Sequence, residues 1–248
     1  MSLYKELVEA ALPLARAKKT KRVVVGINYT LVEVERLGPG LAYTFIEKEL
    51  CCELLSDISF WRTPADILIK NYISGNPIEK AVGLATINAI LNNRRDLKKQ
   101  KLEEDVLSEL PLDTSAEVVM IGEIAPLVKR LKGRVKKLWI FDGEWEEIKF
   151  SFAEAARKAK IAFITSSTLV NQTLEEVLTF VKEVPEVVLI GPSTPLCPQV
   201  FRFTPITWLC GAIYEDAELL FKLVCEGKGA PAFFKEGALR KVALRVEK

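Results

Sequence analysis

The 248-residue chain contains no histidine. Imidazole is therefore unavailable as a general base, as a zinc ligand or as a switch near neutral pH. Ser-His-Asp hydrolysis and His-ligated metalloprotease chemistry are excluded, and any acid or base work falls to Glu, Asp, Lys, Tyr or Cys. An excess of one charge is also lacking. Lys and Arg number 35 against 33 for Asp and Glu, a formal net charge of +2, so no field steers the chain to nucleic acid or to a membrane surface. Neither is expected as a partner. No run of about 18 apolar residues is present to span a bilayer, and MSLYKELVEAALPLARAKKTKR at the start has the pattern of an amphipathic helix, not of a signal peptide. A cytoplasmic location is the expectation. Cys51, Cys52, Cys197, Cys210 and Cys225 show no C-x-x-C spacing; an odd number in a chain of this length reads as reduced, mostly buried thiols and not as a disulfide framework.

What is present is ample apolar content, 49% of residues, enough for sizeable cores. From Val118 onward, short β-branched runs alternate with amphipathic helix patterns. VVMI (118–121) precedes Ile124, Leu127, Val128 and Leu131; LWIF (138–141) precedes Phe152, Ala155, Ala156 and Ala159. IAFIT (161–165) precedes Leu174, Val177, Leu178 and Val181, and VVLI (187–190) leads through an apolar segment near 206–213 to a last helix carrying Ala217, Leu220, Phe221 and Val224. Runs without polar alternation imply strands buried on both faces, hence a parallel sheet with helices on each side. Ser151 with Glu154, and Thr173 with Glu176, are read as capping boxes that start helices.

The N-terminal part has a different pattern. RVVVGINYTLVEVE (22–35) and LAYTF (41–45), separated by Gly38-Pro39-Gly40, predict an antiparallel meander with a turn at the glycines. Thr63-Pro64 with Asp66, and Asn76-Pro77 with Glu79, predict helices starting near 64 and 77. NNRRDLKKQKLEED (92–105) reads as a solvated helix or linker, which puts the domain boundary near 105–114. The expected organisation is α/β: an α+β domain over 1–110 and a parallel-sheet domain over 111–248.

In open parallel sheets, ligands bind beyond the carboxyl ends of the strands. Three strand exits here are alike: Gly122-Glu123, the run from Thr165 to Asn171, and Gly191-Pro192-Ser193-Thr194-Pro195. Hydroxyl-rich, glycine-containing loops on one edge can donate hydrogen bonds to a phosphate, a carboxylate or another oxyanion, or they can simply cap helices and close turns. The dinucleotide fingerprint is absent, since GEIAPL (122–127) has one glycine where G-x-G-x-x-G has three, and Glu123 would repel a pyrophosphate. Asp142, at the end of the second strand, keeps a nucleoside ligand such as S-adenosylmethionine in play; its alternative is to close a turn with Gly143. In GLATINAIL (83–91), Asn88 shares a face with Leu84, Ile87 and Leu91, so its amide either ties down a neighbouring loop or faces a pocket. Glu33 and Glu35 alternate with Val32 and Val34, the pattern of a solvated face on a half-buried strand.

GINYTLVEV, GPGLAY, GLATINAIL, VVMIG, SSTLVNQTLEE and GPSTPL follow one another in an order that resembles the putative heavy-metal chelation family. The resemblance covers roughly residues 20–245. It implies an enolase N-terminal-like domain joined to a Rossmann-like domain, with a site between them that holds a metal ion or a small anionic or metal-bearing ligand. On the matching motifs, the implied ligand-binding residues are Asn88, Gly122, Thr168, Asn171, Thr173, Gly191, Ser193 and Thr194. Candidate hard metal ligands are Glu33, Glu123 and Asp142; Cys197 is the candidate soft one, with the Cys51-Cys52 pair pointing apart. Neither the metal nor a reaction follows from these residues. A nucleoside-dependent enzyme and a non-catalytic scaffold stay open as alternatives, as does a homo-oligomer.

Overall fold

The computed structural model describes residues 2–45, 59–94, 97 and 105–248. The N-terminal part holds α1 (Leu3–Ala15), β1 (Thr20–Val25), β2 (Tyr29–Val34), β3 (Gly38–Tyr43), α2 (Ala65–Ser74) and α3 (Pro77–Leu91). The C-terminal part holds β4 (Glu117–Ile121), α4 (Ala125–Leu131), β5 (Lys137–Phe141), α5 (Trp145–Ala156), β6 (Ile161–Thr165), α6 (Leu174–Phe180), β7 (Glu186–Ile190), α7 (Pro198–Phe201), β8 (Trp208–Tyr214), α8 (Ala217–Cys225), α9 (Ala230–Lys235) and β9 (Leu239–Arg245). Among the described residues, no helix is long and apolar enough to cross a membrane. Cys51 and Cys52, and most of the charged run after Arg94, lie outside the described residues.

Two sheets organise the chain, an antiparallel β1-β2-β3 and a six-stranded β5-β4-β6-β7-β8-β9 whose strands are parallel except for the last. The central strands β4, β6 and β7 are buried on both faces as their runs predict, whereas LWIF in β5 is half-buried to exposed because β5 is the edge strand. Val119, Ile121, Ala162 and Ile164 join one core with Phe152, Leu174 and Val177; Val118, Met120, Ile161 and Phe163 join a second with Leu127 and Leu131. Alternate residues thus serve opposite faces, one covered by α5 and α6 and the other by α4. β4 lies between β5 and β6, so the chain leaves β4 towards one side and returns on the other, and a crevice opens at the strand exits of that switch point.

Several expectations are corrected. The run 22–35 is two strands, because Gly26 to Asn28 turn the chain back and pair Val25 with Thr30. Gly38 and Gly40 are not in a turn; they lie within β3, opposite Val34 and Val32. Gly40 is required by close approach: a Cβ there would overlap the backbone of Ala85 and Ala89, on α3. The turn falls one step earlier, at Arg36, with φ of 64°. Ser151 caps nothing, since α5 already starts at Trp145 and buries Trp145, Phe152, Ala155 and Ala156. Thr173 does sit at the start of α6 but makes no side-chain cap; Glu176 instead accepts from Trp145 Nε1 at 2.8 Å. Asn76 and Glu79 form a capping box on α3, which places that start as the sequence predicts. After the expected last helix come α9 and β9, and β9 pairs antiparallel with β8 from Trp208–Arg245 to Tyr214–Leu239.

Gly40→Ala tests the β3–α3 contact. The added methyl meets helix backbone, which cannot yield as a side-chain tip can, so a loss of about 1–3 kcal/mol or more is expected. A urea midpoint unchanged from the parent protein would show that the strand and helix are not in backbone contact.

Candidate functional site

A cavity of about 1220 Å³ opens over the strand exits. Its floor is built from the ends of β4 (Gly122, Glu123), β6 (Thr165 to Thr168) and β7 (Gly191 to Ser193). Asp142 and Trp145 stand at the β5 end, and Lys241, with Cys210, at the β8–β9 end. The roof comes from the other sheet, as Tyr29 and Tyr43, and from Phe45 just after it. Tyr29 and Tyr43 are cross-strand partners, and their rings meet edge to face at 5.8 Å, the geometry that aromatic quadrupoles favour.

The two exit glycines are dictated by contact with the β6 exit. Gly122, at φ +78°, would bring a Cβ to 2.8 Å from Thr165 Cγ2; Gly191, at φ +139°, would drive one into Ser166 Oγ. Their N–H groups are not free donors, because Gly122 N donates to Phe141 O and Gly191 N to Cys210 O, both at 2.9 Å. Open hydrogen-bonding capacity lies elsewhere. Ser166 is 2% exposed, lines the cavity and has a hydroxyl with no hydrogen bond among the described residues. The Tyr29 and Tyr43 hydroxyls are equally unpartnered, and burial pushes the Tyr29 phenol up, so it stays a donor. Thr168 Oγ1 donates to Thr165 O at 2.7 Å, and Asn171 Oδ1 accepts from Thr173 N and Oγ1. Each keeps part of its capacity: the Thr168 oxygen can accept, and the Asn171 amide nitrogen can donate.

Of the residues singled out from sequence, Gly122, Glu123, Asp142, Thr168, Asn171, Thr173, Gly191 and Ser193 are brought together on this wall. Asn88, Thr194, Glu33 and Cys197 are not. Asn88 is fully buried, and its Nδ2 donates to Leu41 O at 2.8 Å and Ser193 O at 2.9 Å. One turn later, Asn92 Nδ2 donates to Thr194 O at 3.0 Å while Asn92 Oδ1 accepts from Leu196 N at 2.7 Å. Asn93 Nδ2 donates to Pro39 O at 2.9 Å. Asn92 and Asn93 are therefore buried ties and not the start of a solvated linker, as their polar neighbours suggested. Ser193 completes the junction by accepting from Tyr43 N at 2.8 Å. Thr194 is buried behind that loop.

Glu33 is also buried, contrary to the solvated face expected, because β2 is the middle strand of its sheet and the Leu31–Glu33 face is covered by α8. Its carboxylate is committed to Lys21 at 3.0 Å and Arg22 at 2.5 Å, and Arg22 reaches on to Glu218 at 2.7 Å. Cys197 precedes α7, is buried and contacts Gln199 at 3.5 Å. Among the described residues, no three of Asp, Glu, Cys and His converge as a metal site. Glu123 and Asp142, on adjacent exits, are two donors without a third. Cys210 lines the cavity, but burial pushes its thiol up, which keeps it neutral at ordinary pH.

Sequence reasoning missed Ser166, the tyrosine roof, Trp145, Arg130 and Lys241. Ser166 was within reach, as the first residue after a predicted strand; the others come from elements whose placement depends on the tertiary fold. Arg130 is bidentate to Asp105 at 3.0 and 2.5 Å, and that pairing lowers the Asp105 pKa.

A parallel-sheet crevice roofed by a second, antiparallel sheet defines an α/β protein with a ligand-sized cavity between its two parts. The chain belongs to the DUF364 family, described as putative heavy-metal chelation: that family's model matches residues 105–243. A second model of the same description, DUF4213, matches residues 8–91. The uncharacterized protein MJ0500 of Methanocaldococcus jannaschii is 23% identical across 99% of this chain and 98% of its own length. A DUF364 protein of unknown function from Pyrococcus horikoshii has a crystal structure with a TM-score of 0.82 at 24% identity, covering 99% of this chain and 100% of its own. Another from Desulfitobacterium hafniense gives 0.76 at 20%, covering 98% and 96%. At these identities the structures establish a shared fold.

Two outcomes are expected. Asn88→Ala leaves two buried carbonyls without a donor and should cost about 1–3 kcal/mol for each; in a double-mutant cycle with Asn92→Ala the effects should be non-additive, since both hold one loop. Strict additivity would separate the two ties. Alkylation with iodoacetamide at pH 8, followed by peptide mapping, should modify exposed Cys225 and spare Cys210; rapid labelling of Cys210 would contradict its burial.

Proposed function

We propose that the chain binds a small anionic or metal-bearing organic ligand in this cavity, between an N-terminal domain (1–110) that roofs it and a C-terminal domain (111–248) that supplies its floor. The observation that carries the reading is the set of polar groups that face the cavity without a hydrogen bond or ion pair among the described residues: the Tyr29 and Tyr43 hydroxyls from the roof, and the Ser166 hydroxyl with the exposed Glu123 and Asp142 carboxylates from the floor. Of these only Ser166 is buried; a hydroxyl left without a protein partner beside a cavity is available to whatever enters it.

The cavity's size argues for an organic molecule. At about 1220 Å³ it exceeds the roughly 300–1,000 Å³ of ordinary small-molecule pockets, far more than a bare ion needs. The donor set agrees with this. Glu123 and Asp142 could complete the coordination of a metal that arrives with its own ligands, whereas a divalent cation held by protein alone needs more donors. The family's description favours metal chelation, and this form of it suits the residues present. A nucleoside cofactor is a second reading, favoured by Asp142 at the exit of the strand beside β4.

Protein purified anaerobically should carry a metal or small molecule by elemental analysis and native mass spectrometry. Alternatively, it should gain thermal stability with at least one member of a panel of metal ions, oxyanions, tetrapyrroles and pterins. Because Glu123 and Asp142 are exposed, the double variant Glu123→Ala/Asp142→Ala should fold normally and lose the gain from metal-bearing compounds. No bound species and no shift across the panel would sink the proposal. Stabilisation by S-adenosylmethionine, ATP or NAD alone would transfer it to the nucleoside reading.

A further inference from the structure

The unpaired charges at the two ends of the cavity wall are segregated, since Asp105, the acid near Cys210 and Lys241, is paired with Arg130. Glu123, Asp142, Glu144, Glu146 and Glu176 all lie towards the β4–β5 end. Among the described residues, Arg130 and Lys241 are the cations on the wall, and they differ in state. Arg130 is already neutralised by the bidentate Asp105 pair. Lys241 has no ion pair among the described residues; its ammonium lies 5.1 Å from the centre of the Phe234 ring, a contact that orients the charge without cancelling it. Asp105 sees Lys241 only as a secondary influence after Arg130.

The fold explains why this lysine faces the cavity. On β9, Lys241 is opposite Ala212 and Ala243 is opposite Cys210, so Lys241 shares a sheet face with Ala243 and Cys210, both of which belong to the core under the cavity. Val242, between them, points the other way into the main core. The Phe234 ring cannot compensate the charge, and Asp105, the acid that Lys241 influences, is already engaged by Arg130.

From these observations we infer that Lys241 is the anchor for an acidic group, and that the ligand is an elongated organic acid. Its apolar body runs under the tyrosine roof, its carboxylate, sulfonate or phosphate meets Lys241, and its cationic or metal-bearing end meets Glu123 and Asp142. This rests on the cavity being a ligand site, as proposed above. The length follows from the sheet: β4 and β9 are four strand positions apart, about 19 Å at roughly 4.8 Å per step. Side chains reaching inward from both ends leave a span of roughly 10 Å for the ligand. An acid at one end and a cation at the other is also the arrangement that the two potentials select, and the reverse orientation would set like charges together.

The test uses two fluorescent dyes with almost the same aromatic body, 8-anilinonaphthalene-1-sulfonate, which carries an anion, and N-phenyl-1-naphthylamine, which does not. Both should bind the folded full-length chain saturably. Lys241→Glu should weaken the sulfonate dye by about tenfold or more, the scale of a charge-assisted contact, and leave the neutral dye within about twofold. Lys241→Arg should retain the sulfonate dye. Lys129→Glu, the same change of charge at an exposed position off the cavity wall, should leave both dyes unaffected. If both dyes bind and Lys241→Glu fails to separate them, the anchor is overturned while the cavity reading stands. If neither dye binds the parent protein, both are overturned.

Discussion

The geometry of the cavity depends on one set of hydrogen bonds, the amides that α3 extends to the loop after β7. Asn88 and Asn92 are a turn apart on the same helix and hold the carbonyls of Ser193 and Thr194 and the N–H of Leu196. A loop with two prolines has few backbone donors of its own, and buried carbonyls without donors are costly. The helix supplies what the loop lacks. Because Asn88 also holds Leu41 O, and Ser193 in turn accepts from Tyr43 N, the strand that carries the roof and the loop that forms the floor are fixed by the same amide.

This explains the close packing of β3 on α3. With no side chain at position 40, the strand approaches the helix backbone, and at that separation a short asparagine side chain spans from α3 past β3 to the loop. The other contacts between the two parts lie around this centre. Tyr72 Oη donates to Leu169 O at 2.7 Å, Gln172 Nε2 donates to Tyr72 O at 2.8 Å, and Asn28 Nδ2 donates to Gly227 O at 2.8 Å. Most of these are side chain to backbone bonds, which fix the position of a chain segment whatever its side chains. The contact surface is thereby specific in geometry while leaving the cavity wall free to carry chemistry.

Much of the fold is legible in the residues. Runs such as VVMI, IAFIT and VVLI lack polar alternation because both faces of a central parallel strand are covered, and that signal is local. β9 is not legible in the same way: LRKVALR is an edge strand with charges at Arg240, Lys241 and Arg245, and it resembles a polar tail until β8 pairs with it. Gly38 and Gly40 look like turn residues because the helix that demands Gly40 is distant in sequence. The site divides on the same principle. Hydroxyl-rich exits at one sheet edge can be read from strand order, but a hydroxyl's availability depends on what lies across from it. Ser193 is engaged by Tyr43 and Thr194 is turned away, while Ser166, on the neighbouring exit, is left open. Glu33 and Asn92 show the converse, polar residues that look solvated and are buried because a charged or carbonyl partner from another element meets them.

A ligand in the cavity would touch both parts of the chain and so add to their direct contacts, such as that of Tyr43 N with Ser193 Oγ. The tyrosines of β2 and β3 are above it and the exits of β4, β6 and β7 below, so its binding energy would be added to the contact between the two parts of the chain. By linkage, any molecule that binds only this closed arrangement stabilises it in proportion to its affinity and concentration. The open hydroxyls make the coupling directional. Tyr29 and Tyr43 contribute from one part and Ser166 from the other, so a ligand that satisfies both sets must bridge them, and one that satisfies a single set adds nothing to the junction. The wall therefore selects for molecules long enough and polar enough to reach both sides, a requirement that a bare metal ion cannot meet and a metal-bearing organic acid can.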